Sequence, residues 1–254
     1  MIPSSGTILM SYYLNLIPYM MKSFFLMTLL LCPTLLLAQV PKGAWKSQEP
    51  TGSTSHLIVT DNYLVITSYS LLNKYFERSE GGPFTMVGDK MTYTPEFNTS
   101  DTLKVGVPVV FTVTRKDNVL TLRYEEAMVW MLVDDAANVA MAGAWHITER
   151  AKDGDGPLEK IHQTGTRKTL KLLSGTRFQW FAIDPGVKGF YGTGGGTYTA
   201  KNGKYTEHIQ FFSRDNNRVG SSLQFDWKLE GGRWDHSGKS TAGKPIHEVW
   251  EKIK

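Results

Sequence analysis

Late in the chain, Leu223, Phe225, Trp227 and Leu229 alternate with Gln224, Asp226 and Lys228. A two-residue period places the apolar set on one face of a strand and the polar set on the other, the pattern of an antiparallel sheet with one buried and one wet face. Most of the remaining chain reads the same way, as short runs rich in Val, Ile, Thr, Tyr, Phe or Trp, bounded by Gly, Asn, Asp or Pro. Asn202-Gly203 between two such runs predicts a two-residue hairpin, because both turn residues must take positive φ. Val87-Gly88-Asp89-Lys90, Asp117-Asn118 and Glu230-Gly231-Gly232 predict further turns. No stretch longer than about ten residues keeps a helical apolar period, and Asp134 to Met141 is expected to form a short connecting turn.

The pattern occurs twice. Gly43-Ala44-Trp45 recurs as Gly143-Ala144-Trp145, and from there an offset of 114 aligns Gly81 to Thr85 with Gly195 to Thr199. At the same offset Phe97 meets Phe211, Val109 and Phe111 meet Leu223 and Phe225, and Leu120 meets Trp234. The fourteen-residue difference falls within the polar stretch Ala151 to Thr169, read as a solvated insertion at a barrel mouth. An internal repeat of this kind sets the domain count.

The amino-terminal segment has its own logic. Met20-Met21-Lys22 precedes an apolar run from Phe24 to Leu37 that closes on Leu37-Ala38-Gln39, the layout of a secretory leader. Pro33 interrupts the run, which is shorter than the roughly 20 apolar residues of a membrane helix. Cleavage after Ala38 is expected, with residues 1–20 an upstream extension of the start. The expected location is therefore outside the cytoplasm, in the periplasm, the cell envelope or the medium, with no membrane span once the leader is removed. The single cysteine, Cys32, lies in the leader, so the mature chain has neither disulfides nor a cysteine nucleophile. The formal charge of +4 becomes +3, twenty-seven basic against twenty-four acidic residues, and is scattered without blocks, which disfavours nucleic-acid binding.

Repeated hairpins with one apolar face must close on themselves or pair with a second sheet, and closure also removes unpaired edges. The expected fold is all-β: two tandem antiparallel barrels over residues 39–137 and 138–254, after a leader at 1–38. A two-sheet sandwich is the competing arrangement. Gly-Ala-Trp opening the first strand, the succession of hairpins, the run Gly194 to Thr199, and Tyr205-Thr206-Glu207 together resemble exported lipocalin-like proteins of the calycin group from Bacteroidetes. The resemblance implies a barrel with a cavity at one mouth that holds a small lipophilic molecule, and it implies that Trp45 and Trp145 plug the closed ends. Pro83 and Pro95 depart from the pattern in the first repeat. Proline cannot donate to a ladder, so edge or bulged strands are expected there.

The candidate chemistry lies in the second repeat. If Tyr205, Ile209 and Phe211 face inward, Glu207 does too, and Trp234 and His236 share a buried face in the next hairpin. An interior carboxylate is costly unless it is paired or meets a ligand. Glu207 and His236 are thus the expected polar groups of a ligand pocket walled by Phe178, Trp180, Tyr198, Tyr205, Phe225 and Trp227. The glycine run 192–196 lacks the helix and Gly-Lys-Ser/Thr of a phosphate loop and reads as a flexible hairpin entry. Ala151 to Gly156 lacks the distal glutamate of a calcium loop. His146, His162, His208, His236 and His247 show no metal-ligand spacing, so neither metal nor cofactor is expected. The leading reading is a non-enzymatic binding protein for a small lipophilic or amphipathic molecule. The alternatives are an acid/base enzyme, an isomerase or hydrolase using Glu207 and His236, and an envelope module binding glycans or proteins through exposed aromatics such as Tyr69 and Tyr75. The oligomeric state is left open.

Overall fold

The computed structural model describes residues 40–48, 52–162 and 164–253; the leader, with Cys32, lies outside the described residues. Nine strands make up the first repeat: β1 (Gly43–Gln48), β2 (Thr54–Val59), β3 (Tyr63–Ser70), β4 (Tyr75–Val87), β5 (Lys90–Tyr93), β6 (Phe97–Asn98), β7 (Val109–Lys116), β8 (Val119–Arg123) and β9 (Ala127–Asp134). Nine more make up the second: β10 (Gly143–Ala151), β11 (Leu158–Lys160), β12 (Lys168–Leu173), β13 (Arg177–Asp184), β14 (Gly189–Lys201), β15 (Lys204–Phe212), β16 (Ser222–Glu230), β17 (Arg233–Lys239) and β18 (Pro245–Lys252). In each repeat eight antiparallel strands close into a barrel, β9 returning to β1 and β18 to β10, while β6 and β11 are short additions on β4 and β10. Two closed barrels in tandem give the chain a lipocalin-like architecture. Among the described residues no helix is long and apolar enough to cross a membrane.

The offset seen in the sequence is structural. Displaced by 114, the bounds of β3 and β4 fall on those of β13 and β14, and the 3-10 turn Thr102–Lys104 falls on Asn216–Arg218. Both turns are capped alike, Asp101 accepting from the Leu103 N–H and Asp215 from the Asn217 N–H, each at 3.0 Å. The extra residues of the second repeat lie between β10 and β12, where β11 pairs with Glu149, Arg150 and Ala151 at the end of β10 and Ile161 packs on the barrel core. Asn202 and Gly203 take φ of 51° and 72°, the left-handed pair that a tight hairpin demands.

Several local expectations need correction. The glycine run is no flexible entry, for it forms the middle of β14, and a Cβ on Gly194 would meet the Trp180 and Phe212 rings at 2.9 Å. Pro83 lies not at an edge but within β4, opposite Tyr63 of β3; the bulge expected as the alternative is on the other flank, where Thr94-Pro95-Glu96 stand against Gly82 and Pro83 as the partner changes from β6 to β5. Phe211 does not face the interior. Ladder register slips at Gly195/Gly196, leaving Gln210 as an extra residue in β15, so Ile209 and Phe212 point inward while Phe211 is turned outward.

Phe211 turns outward to meet the other barrel. The strands β2, β3 and β12 are buried on both faces, contrary to the one-wet-face reading, because their outer side chains form a seam between the barrels. Ile58, Tyr63, Val65 and Phe97 pack there against Leu170, Leu172, Phe181 and Ile183. Tyr69, expected on the surface, is fully buried in the seam, with its hydroxyl 2.9 Å from Gln210 Oε1 and 2.8 Å from His56 Nδ1, whereas Tyr75 is 55% exposed. Phe76 stacks on Phe190 at 6.5 Å, and these two are equivalent residues of the repeats. A residue that touches its own copy lies on a local two-fold axis. The equivalent cross pairs Phe76–Phe211 and Phe97–Phe190, at 6.4 and 5.8 Å, agree with that symmetry.

Candidate functional site

At the closed end of each barrel a tryptophan fills the interior. The Trp45 indole donates to the Pro41 carbonyl and that of Trp145 to the Met141 carbonyl, both at 2.9 Å, and both rings are fully buried. Arg115 lies over Trp45 at 5.1 Å and Lys252 over Trp145 at 5.6 Å. These rings are plugs with a cation laid across them.

Midway up the second barrel the alternation of β15 turns Tyr205, Glu207 and Ile209 inward, and β17 does the same for Trp234 and His236. Glu207 accepts from Lys171 Nζ at 2.9 Å and from the Tyr205 hydroxyl at 3.0 Å, with both charged side chains only 5% exposed. The Lys171 ammonium is also surrounded by rings, Trp234 and Trp250 at 5.0 Å, Tyr205 at 5.7 Å and Phe178 at 5.9 Å. A cation over aromatic faces in a desolvated site gains substantially from the ring quadrupoles. Burial pushes the Tyr205 phenol well above its usual range, and the Glu207 charge adds to this, so it remains a donor.

His236 belongs to an adjoining group. Its Nε2 lies 3.2 Å from Glu248 Oε2, the Trp250 indole reaches the same carboxylate oxygen at 3.3 Å, and Arg150 pairs with the other oxygen at 2.6 Å. Burial works against ionising Glu248, but the His236 hydrogen bond and the charges of Arg150 and Lys171 outweigh it and hold the carboxyl below its ordinary range. Burial also lowers the His236 pKa, more than Glu248 raises it, so the imidazole is neutral. The Trp250 indole also lies 3.2 Å from His236 Nε2, while the buried Nδ1 has no hydrogen-bond partner, and neither do the nearby Trp227 and Trp234 indole nitrogens.

The structure brings Glu207 and His236 into one interior but does not join them, since each is held by its own partner. Phe178, Tyr205 and Phe225 wrap this network, Tyr198 donates to the Ser174 carbonyl at 2.7 Å, and Trp180 and Trp227 are half-buried beside it. Glu207 and His236 do not form an acid/base pair with each other, because the proton donors to Glu207 are Lys171 and Tyr205 and the carboxylate beside His236 is that of Glu248. Above the network, at the strand ends opposite Trp145, half-buried Ile161, Phe212, Leu223 and Ile246 form an apolar rim with Trp180 below them. Among the described residues no group of three or more His, Cys, Asp or Glu could hold a metal ion.

Sequence reading missed Lys171 and Glu248. The first barrel shows their meaning. At the offset of 114, Leu57, Tyr93 and Leu122 occupy the places of Lys171, Glu207 and His236, and Met128 faces Leu122 as Glu248 faces His236. One barrel closes over an apolar core, and its copy has four ionisable groups at the same four positions or their like. No protein-family model matches the chain, and no curated protein matches it.

Proposed function

We propose that the protein is a binding protein whose second barrel takes a small amphipathic molecule at its mouth, with the apolar body against Trp180, Phe212, Leu223 and Ile246 and a hydrogen-bonding head turned toward His236 and Glu207. The observation that carries this reading is the comparison of the two copies. A buried ion pair is a poor way to stabilise a core, and hydrophobic residues of similar volume commonly do as well or better. The first barrel closes with Leu57, Tyr93, Leu122 and Met128. Folding therefore does not require Lys171, Glu207, His236 and Glu248, and function is the remaining reason for four such costly groups. The unpartnered His236 Nδ1 and the two unpartnered indole N–H groups suit a hydrogen-bonding head such as a hydroxyl, which accepts from an indole and can meet Nδ1 in either role. Affinity would come mainly from apolar area, at roughly 25 cal/mol per Å² before the costs of association.

The test is a tryptophan-fluorescence and thermal-shift titration of the mature chain with dodecanol, dodecanoate and dodecylamine, alongside a lipid extract of the host. Saturable quenching by dodecanol that Leu223→Glu weakens tenfold or more supports the proposal. Absence of any saturable response to all four, or a response that Leu223→Glu leaves unchanged, overturns it.

A further inference from the structure

A cleft of about 390 Å³ opens where the plugged ends of the two barrels approach each other, far along the strands from the mouth discussed above. Its walls come from both repeats and from the chain between them: Val59, Thr60 and Asp61 from the first barrel, Leu173 and Lys252 from the second, and Val139 of the connection. The connecting wall is fixed in place. The Asp134 carboxylate accepts from the Ala136 N–H at 3.2 Å and, across in the second barrel, from the Ser174 hydroxyl at 2.9 Å, the Gly175 N–H at 2.7 Å, and the Thr176 N–H and hydroxyl at 3.0 and 2.7 Å. The cleft is thus preformed, and its volume falls within the range of small-molecule sites.

The charges that line it are unequal. Lys42 at the lip is paired with Asp61 at 2.9 Å and is neutralised. Lys252 makes no ion pair among the described residues and lies across the Trp145 ring. Gly143 makes that position possible. A Cβ there would collide with the Lys252 side chain, and φ is +141°, a value that side-chain-bearing residues rarely adopt. The glycine of the second Gly-Ala-Trp therefore leaves room for an unpaired ammonium at the edge of a cleft that also carries the Lys42–Asp61 pair and is faced by Val139, Ala140 and Ala142.

We infer that this cleft binds a small organic anion, a carboxylate attached to a short aliphatic or aryl group, with the carboxylate on Lys252 and the apolar part against Val139, Ala140 and Ala142. The site is independent of the mouth of the second barrel and of whatever binds there.

Calorimetric titration of the mature chain with benzoate tests it, with benzamide and benzylamine as neutral and cationic counterparts. Benzoate is expected to bind at least tenfold more tightly than benzamide, and benzylamine to give no saturable heat. Lys252→Gln is expected to weaken benzoate tenfold or more. Ala140→Trp, on an exposed wall residue, fills the cleft without touching either core and is expected to abolish binding, while Leu223→Glu at the distant mouth leaves it unchanged. Absence of saturable benzoate binding at millimolar concentration, equal affinity for benzamide, or undiminished binding in either cleft variant overturns the inference.

Discussion

Replacing Lys171 with leucine, the residue found at its counterpart Leu57, removes the cation bonded to Glu207 and leaves a carboxylate that is 5% exposed with, among the described residues, one remaining hydrogen bond, from Tyr205. Removing one partner of a buried ion pair costs about 3–5 kcal/mol, because the other charge stays desolvated and unpaired. For a domain of this size each kcal/mol moves the melting temperature by about 2–4 °C, so Lys171→Leu is expected to melt roughly 6–20 °C below the parent. The first barrel also specifies the remedy. Its Tyr93 occupies the place of Glu207, so adding Glu207→Tyr converts the pair to the combination that its own copy already packs. Exchanging a buried pair for apolar residues of similar volume is commonly neutral or stabilising by about 1–4 kcal/mol, so the double variant should recover most of the loss. Calorimetric unfolding at pH 7 measures both. A single variant that loses less than about 1 kcal/mol, or a double variant no better than the single, would refute the argument that this network costs stability and is retained for another purpose.

Two other outcomes follow from the fold. Burial, with the charges of Arg177 and Lys46 beside it, lowers the His56 pKa from 6.5 to about 3, so as pH falls the unfolded chain takes up this proton first. The stability it contributes is whole above pH 6.5 and drains between 6.5 and about 3, at about 1.4 kcal/mol per pH unit; urea unfolding across that window should show a shallower decline in His56→Gln, and parallel curves would contradict the assignment. Gly82→Ala and Gly196→Ala each place a Cβ inside a backbone carbonyl, of Thr94 and His208 respectively, and should cost about 2 kcal/mol or more, whereas Gly203→Ala meets no neighbour and should cost about 1 kcal/mol for its left-handed φ. Equal losses at the three sites would show that close packing in β4 and β14 is not what demands glycine.

The tandem barrels were legible because duplication writes the same hairpin signals twice, and because β15, β16 and β17 keep a two-residue period over most of their length. That period sufficed to point Glu207 and His236 inward. It failed where a strand has two dry faces. In Lys168-Thr169-Leu170-Lys171-Leu172-Leu173 alternation alone would send the leucines at 170 and 172 inward and Lys171 to solvent, yet those leucines face the other barrel and the lysine faces the lumen. The alignment of Lys171 with Leu57, together with its place opposite Trp145 in the β10–β12 ladder, is the signal that separates the two readings. Phe211 went astray for a different reason: one extra residue at Gln210 reverses every face beyond it. Glu248 near the carboxy terminus follows an offset other than 114, so the repeat did not flag it.

The buried seam between the barrels couples the stability of one to the other. A half-length chain ending near residue 137 would uncover Ile58, Tyr63, Val65 and Phe97 together, an adhesive face that invites self-association, and it would leave Thr67 and Ser79 without Gln179. Heat or denaturant should accordingly dismantle both halves in one cooperative event, so that the copy free of internal charges helps sustain the copy that contains them.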